Sequence, residues 1–151
     1  MENFIEIKEE IIKRQKVVNT CEDGKRNVLA AKNIDDLLTI LKDNFKWSFH
    51  QKIIDIKLLT LVGQNICNEN DVYFNVSTDS GFLLVDSGQV SASGYTLVIA
   101  YGTATVKASG FATVIACEGT TVFASGGATV LAHENANINV CENASFGRWE
   151  I

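Results

Sequence analysis

Apolar and polar residues alternate with a period of two through the second half of the chain, and the pattern resets every eight residues from Ser80 to Phe146. The third position of each octad is Phe82, Val90, Val98, Val106, Val114, Val122, Val130, Ile138 and Phe146. The fifth is Leu84, then Ala92, Ala100, Ala108, Ala116, Ala124 and Ala132, then Val140. First positions are small, from Ser80 and Gly88 to Ala136 and Ala144. Alternation of this kind marks a strand with one buried face. Seventh positions carry Gly94, Gly102, Gly110 and Gly126, or an acid at Asp86, Glu118, Glu134 and Glu142. Glycine there permits the backbone angles of a sharp corner. Short strands in tandem predict a parallel β-solenoid.

The decoration of the repeat shows how many sides each coil has. Ala-Ser-Gly recurs at Ala92–Gly94, Ala108–Gly110 and Ala124–Gly126, sixteen residues apart, and so do Leu83, Ile99, Ile115 and Leu131. Three-sided coils would not produce that spacing, so the expected coil is flattened and two-sided, with sixteen residues. Val72, Phe74 and Val76 fit one octad more, which places the first coil near Asp71. Inward Ala–Val–Ala facing Ala–Val–Ala leaves little volume, so the two sheets are expected to lie close together.

The first half changes period. Phe4, Ile7, Ile11 and Val18 fall on one face of a helix over Met1–Val18. Glu22–Lys32 continues or restarts it. Asn33 is suited to cap a helix with Asp35 and Asp36 in its first turn and Leu37, Leu38 and Leu41 on its buried face. Ser48 and Gln51 have capping-box spacing for a helix from Phe49 to Val62, closed by Gly63. Gln64–Asn70 reads as the junction. The expected class is α+β: a helical unit, 1–70, and a solenoid, 71–151, closed by Phe146 and Trp149.

The strings A-T-V-K-A-S-G (Ala104–Gly110), A-T-V-I-A-C-E-G (Ala112–Gly119) and A-T-V-L-A-H-E-N (Ala128–Asn135) resemble the octad repeats of uncharacterised small β-solenoid proteins of gut anaerobes and their phages or mobile elements. Those proteins also carry a short helical segment before the repeat. The resemblance implies the fold and supplies no activity. The octad is also similar to ice-nucleation repeats, which use sixteen-residue coils.

Charge divides the chain as the pattern does. Residues 1–70 hold eleven basic and eleven acidic side chains, and residues 71–151 hold two and seven, so the net charge of −5 belongs to the solenoid. A surface whose only cations are Lys107 and Arg148 is not expected to bind nucleic acid. Met1–Glu10 is acidic and lacks the apolar core of a signal sequence, and no apolar run is long enough to span a bilayer. The expectation is a cytoplasmic protein with its four cysteines reduced.

Candidate chemistry is sparse. Tyr101, Cys117 and His133 form one outward column, with Glu118 and Glu134 at the adjoining corner. A Cys–His pair can activate a nucleophile or join a metal site, yet nothing nearby supplies an oxyanion hole or a pocket. Cys21, Cys67 and Cys141 lack C-x-x-C spacing, and no phosphate-binding loop, dinucleotide fingerprint or nucleophile elbow is present. Neither cofactor nor metal is expected. Thr105, Thr113, Thr121 and Thr129 alternate between the two faces, which disfavours ice binding, and glycan binding is the related alternative. Leu83, Ile99, Ile115 and Leu131, flanked by Leu97 and Tyr101, predict an apolar ridge on one sheet that another element must cover. The reading is a non-enzymatic interaction module, of inhibitor, immunity or scaffold type. A protein partner is expected, with a homodimer through the ridge foremost.

Overall fold

The computed structural model describes residues 2–18, 20–117, 119–133, 135–141 and 143–149. The chain divides into two units, 1–72 and 73–151.

In the first unit, helix α1 (Glu2–Val17) buries Ile7 and Ile11. It touches α2 (Glu22–Ala30), α3 (Ile34–Asp43) and α5 (Ile56–Val62). Cys21 starts α2, its Sγ accepting a hydrogen bond from the Gly24 amide at 3.4 Å. At the other end Lys8 Nζ donates to the carbonyls of Leu29 and Ala31 at 2.7 and 2.9 Å, meeting the acceptors a helix leaves open there. Asn33 caps α3 as expected: its Oδ1 accepts from the Asp36 amide at 2.8 Å.

The next helix differs from expectation. Ser48 lies inside α4 (Phe45–His50), and its carbonyl accepts from the amides of Ile53 and Ile54 at 2.8 and 3.2 Å. The chain turns at Lys52, which has φ 61°. It becomes helical again only at α5, where Asp55 Oδ1 accepts from the Leu58 amide at 2.8 Å. Asp55 is therefore the cap, and Ser48 is not. Arg14 holds this turn from α1: it lies 3.0 Å from Glu10 and from Asp55 and donates to the Ile53 carbonyl at 3.2 Å. Burial opposes the Arg14 charge, and its hydrogen bonds to Asp55 and Glu10 outweigh that, so its pKa lies above the ordinary value. Gly63 ends α5 at φ 102°. The Asn-rich stretch expected as a junction forms α6 (Gln64–Glu69), whose Cys67 is buried.

The second unit is a two-sided parallel β-solenoid. One sheet orders β1 (Val72–Phe74), β2 (Phe82–Val85), β4 (Leu97–Ala100), β6 (Thr113–Ala116), β8 (Thr129–His133) and β10 (Ser145–Trp149). The other orders β3 (Gln89–Ala92), β5 (Thr105–Ala108), β7 (Thr121–Ala124) and β9 (Asn137–Val140). From β2 onward every second strand pairs, so like residues stack: Val98 on Val114 on Val130, and Ala108 on Ala124. The core is valine at third positions and alanine at first and fifth. Buried Thr96 and Thr120 stand among the first-position alanines, their hydroxyls donating to the carbonyls of Ser93 and Cys117 at 2.8 and 2.6 Å.

The first coil breaks the octad. Leu83 pairs with Val98 and Leu84 with Ile99, a step of fifteen residues where later coils step by sixteen. The missing residue is in the Asp86–Gly88 corner, which has three residues where the next coil has four, Tyr101–Ala104. A shift of one reverses the faces of a strand. Leu83 and Val85 therefore belong to the solenoid core, and Leu84 takes the outward column in place of Leu83. At the other end, Phe146 stacks over Val130 yet stays 47% exposed. Phe146 thus leaves the expected plug incomplete, and the Trp149 side chain lies outside the described residues.

Candidate interaction surface

Alternation sets what each sheet shows. In β3, β5, β7 and β9 the inward residues are valines, alanines and Ile138, and the outward ones are Gln89, Ser91, Thr105, Lys107, Thr121, Phe123, Asn137 and Asn139. Phe123 stands 45% exposed among polar neighbours, paired with Lys107 on one side and Asn139 on the other. A shallow concavity of about 330 Å³ surrounds its ring, rimmed by Ser91, Lys107, Ser109, Ser125 and Asn139. An exposed aromatic inside a polar rim is the usual anatomy of a small contact patch.

The corner beside this sheet carries a second aromatic group. Tyr95 and Phe111 each follow a corner glycine, sixteen residues apart, and their rings stack at 5.3 Å between centroids. They are 81% and 61% exposed. The signal that marks them is present in the repeat, since both are eighth-position residues of alternate octads.

The ridge itself is placed as follows. Leu83 is in the core, Ile99 and Ile115 are buried, and Leu97, Tyr101 and Leu131 are half-buried. Ile99 and Ile115 are thus already buried in the single chain, where a second copy was expected to cover them, and Leu84 replaces Leu83 in the column.

Cys117 follows β6 and His133 ends β8, so the parallel register brings them to adjacent coils, with Tyr101 one coil before. Both are half-buried, and burial pushes the Cys117 thiol above its ordinary pKa. A nucleophilic cysteine needs the opposite shift. Glu118 and Glu134 lie outside the described residues, and among the described residues no three His, Cys, Asp or Glu side chains come together to hold a metal ion. No helix among the described residues is long and apolar enough to cross a membrane.

Fold and surface define a class: a two-sided parallel β-solenoid carrying a helical unit ahead of it. No protein-family model, no curated protein and no solved structure matches the chain. What it does is therefore read from its own residues.

Proposed function

We propose that the chain is a non-enzymatic interaction module, of inhibitor, immunity or scaffold type, that engages a protein through its solenoid in the cytoplasm. The observation that carries this reading is Phe123, an aromatic ring held 45% exposed by a rigid sheet and ringed by Lys107, Asn139 and serine hydroxyls. The repeat keeps that ring in place through its neighbours: Val122 and Ala124, on either side of it, are buried in the core. With two cations against seven acids in residues 71–151, the unit is unsuited to a phosphate backbone, so the partner is a protein and neither a nucleic acid nor a membrane. A second copy of the chain counts among such proteins, with half-buried Tyr101 and Leu131 at hand as contacts.

The test is capture from native host extract with wild-type and Phe123→Glu baits, alongside sedimentation of both. A partner, or a dimer, held by wild type and lost by the variant supports the reading. No partner and no dimer, together with turnover of a substrate that Cys117→Ala abolishes, overturns it.

A further inference from the structure

The helical unit contains a cavity that the solenoid reading does not use. Its volume is about 320 Å³. Ile11 from α1, Val28 from α2, Leu41 from α3 and Ile53 from the turn after α4 form apolar walls, and all four are buried. Trp47, 43% exposed, and Cys21, also exposed, stand at its mouth. Among the described residues no charged side chain lines it.

Three buried polar side chains also line the cavity; one of them, Thr20, is 4% exposed and donates its hydroxyl to the Gln15 carbonyl at 3.3 Å. Ser48 is 3% exposed. Its backbone amide and carbonyl are bonded to Asn44, Ile53 and Ile54, and its side chain faces the cavity as part of the lining. Gln15 is 4% exposed, and its amide nitrogen makes one long hydrogen bond, 3.3 Å, to the Gly24 carbonyl. Buried polar side chains that line an apolar cavity are in position to orient a ligand, because specificity in such sites comes from a few convergent polar groups.

We propose that this cavity is a binding site for an uncharged, largely apolar small molecule bearing one hydroxyl or carbonyl, with Ser48 and Gln15 as its polar contacts. The volume sets the size. A cavity of about 150 Å³ accepts benzene, so one about twice as large suits a bicyclic aromatic or a comparable aliphatic skeleton. The lining sets the charge: an ionised group would leave water with no counter-ion in the cavity.

The probes are naphthalene, 1-naphthol and 1-naphthalenesulfonate, titrated into the full chain with Trp149 replaced by phenylalanine so that Trp47 is the sole tryptophan. Saturable quenching by naphthalene and 1-naphthol, and none by the sulfonate, is expected. Ser48→Ala weakens 1-naphthol by about fivefold, the usual worth of one neutral hydrogen bond, and leaves naphthalene within about twofold of wild type. A second readout needs no variant in the cavity: 1-naphthol slows alkylation of Cys21, followed by peptide mass, and does not slow that of Cys141. Absence of saturation with either neutral probe overturns the proposal. So does equal binding of the sulfonate, which marks adsorption to the surface, or protection of Cys141 to the same extent as Cys21.

Discussion

Tyr95 and Phe111 stack with their ring planes 13° apart, one coil above the other at the same corner. The next residue in that column is Gly127, where an added Cβ would lie 3.0 Å from the Phe111 ring. One face of Phe111 thus meets Tyr95 and the other rests over Gly127. Because both rings are largely exposed, their worth is in the pairing more than in burial. A double-mutant cycle with Tyr95→Ala and Phe111→Ala, read by denaturant unfolding, should give a coupling of about 0.5–1.5 kcal/mol. Strict additivity would mean the stack contributes nothing in solution.

Gly110 combines two constraints. Its φ is 59°, and a Cβ there would sit 2.9 Å from the Gly94 amide nitrogen in the coil before. Gly88, at φ 73°, has open space around the same position. Gly88→Ala should therefore cost about 1 kcal/mol, from backbone strain alone. Gly110→Val should cost more than about 2 kcal/mol, since a β-branched residue is a poor fit at positive φ and the contact adds to it. Equal midpoint shifts for the two variants would show that the spacing between coils relaxes freely.

The Arg14 hydrogen bond holds the Glu10 carboxyl below its usual pKa of 4.5. A carboxylate with a lowered folded pKa stabilises the fold fully above its unfolded value, and that contribution fades as pH falls through the folded one. The melting temperature of wild type should exceed that of Glu10→Gln at neutral pH, by a small margin because Glu10 is partly exposed. The margin should narrow as pH falls past 4.5 and close once it has passed the lowered folded value. A margin independent of pH would assign the difference to packing.

The four thiols should separate by environment. Cys21 and Cys141 are exposed, Cys117 is half-buried with its pKa raised by burial, and Cys67 is buried with its pKa pushed up to about 12. Ellman's reagent near neutral pH should label the exposed pair first, Cys117 slowly, and Cys67 only on unfolding. Linkage adds a second reading. The folded pKa of Cys67 lies above its unfolded value of 9.0, so its contribution is complete below that pH and declines as pH rises toward the folded value. The stability of wild type relative to Cys67→Ala should fall across that alkaline range. Fast labelling of Cys117, ahead of the exposed pair, would instead revive a nucleophile at the Cys117–His133 column.

The solenoid was legible because its period is written in every coil. Val98, Val114 and Val130 could occupy no other face once Ala100, Ala116 and Ala132 were placed two residues on. The octad misleads where one residue is missing, at Asp86–Gly88, since the period carried backward past a short corner puts Leu83 outside when it is inside. Helix ends were legible where a cap has no competitor, as at Asn33. Ser48 had the spacing of a cap, but Asp55 ended the contest because Arg14, distant in sequence, holds the turn before it. Tertiary partners of that kind leave no local trace. Nor does a cavity: Ile11 and Gln15 of α1, Val28 of α2 and Ser48 of α4 come from three separate helices, and only the folding of the helices brings them around one space.

Like stacks on like at an interval of sixteen residues, so the coil is interchangeable with its neighbour. Excision of Thr105–Thr120 would join Ala104 to Thr121 and leave each remaining strand on its own sheet, with valine again over valine. Excision of half that length would send every later strand to the opposite sheet, and the wall that carries Phe123 would exchange its outer residues for those around Ile115. The gene can therefore lengthen or shorten this protein in whole coils at little structural cost, and in half coils only by exchanging the two outer faces.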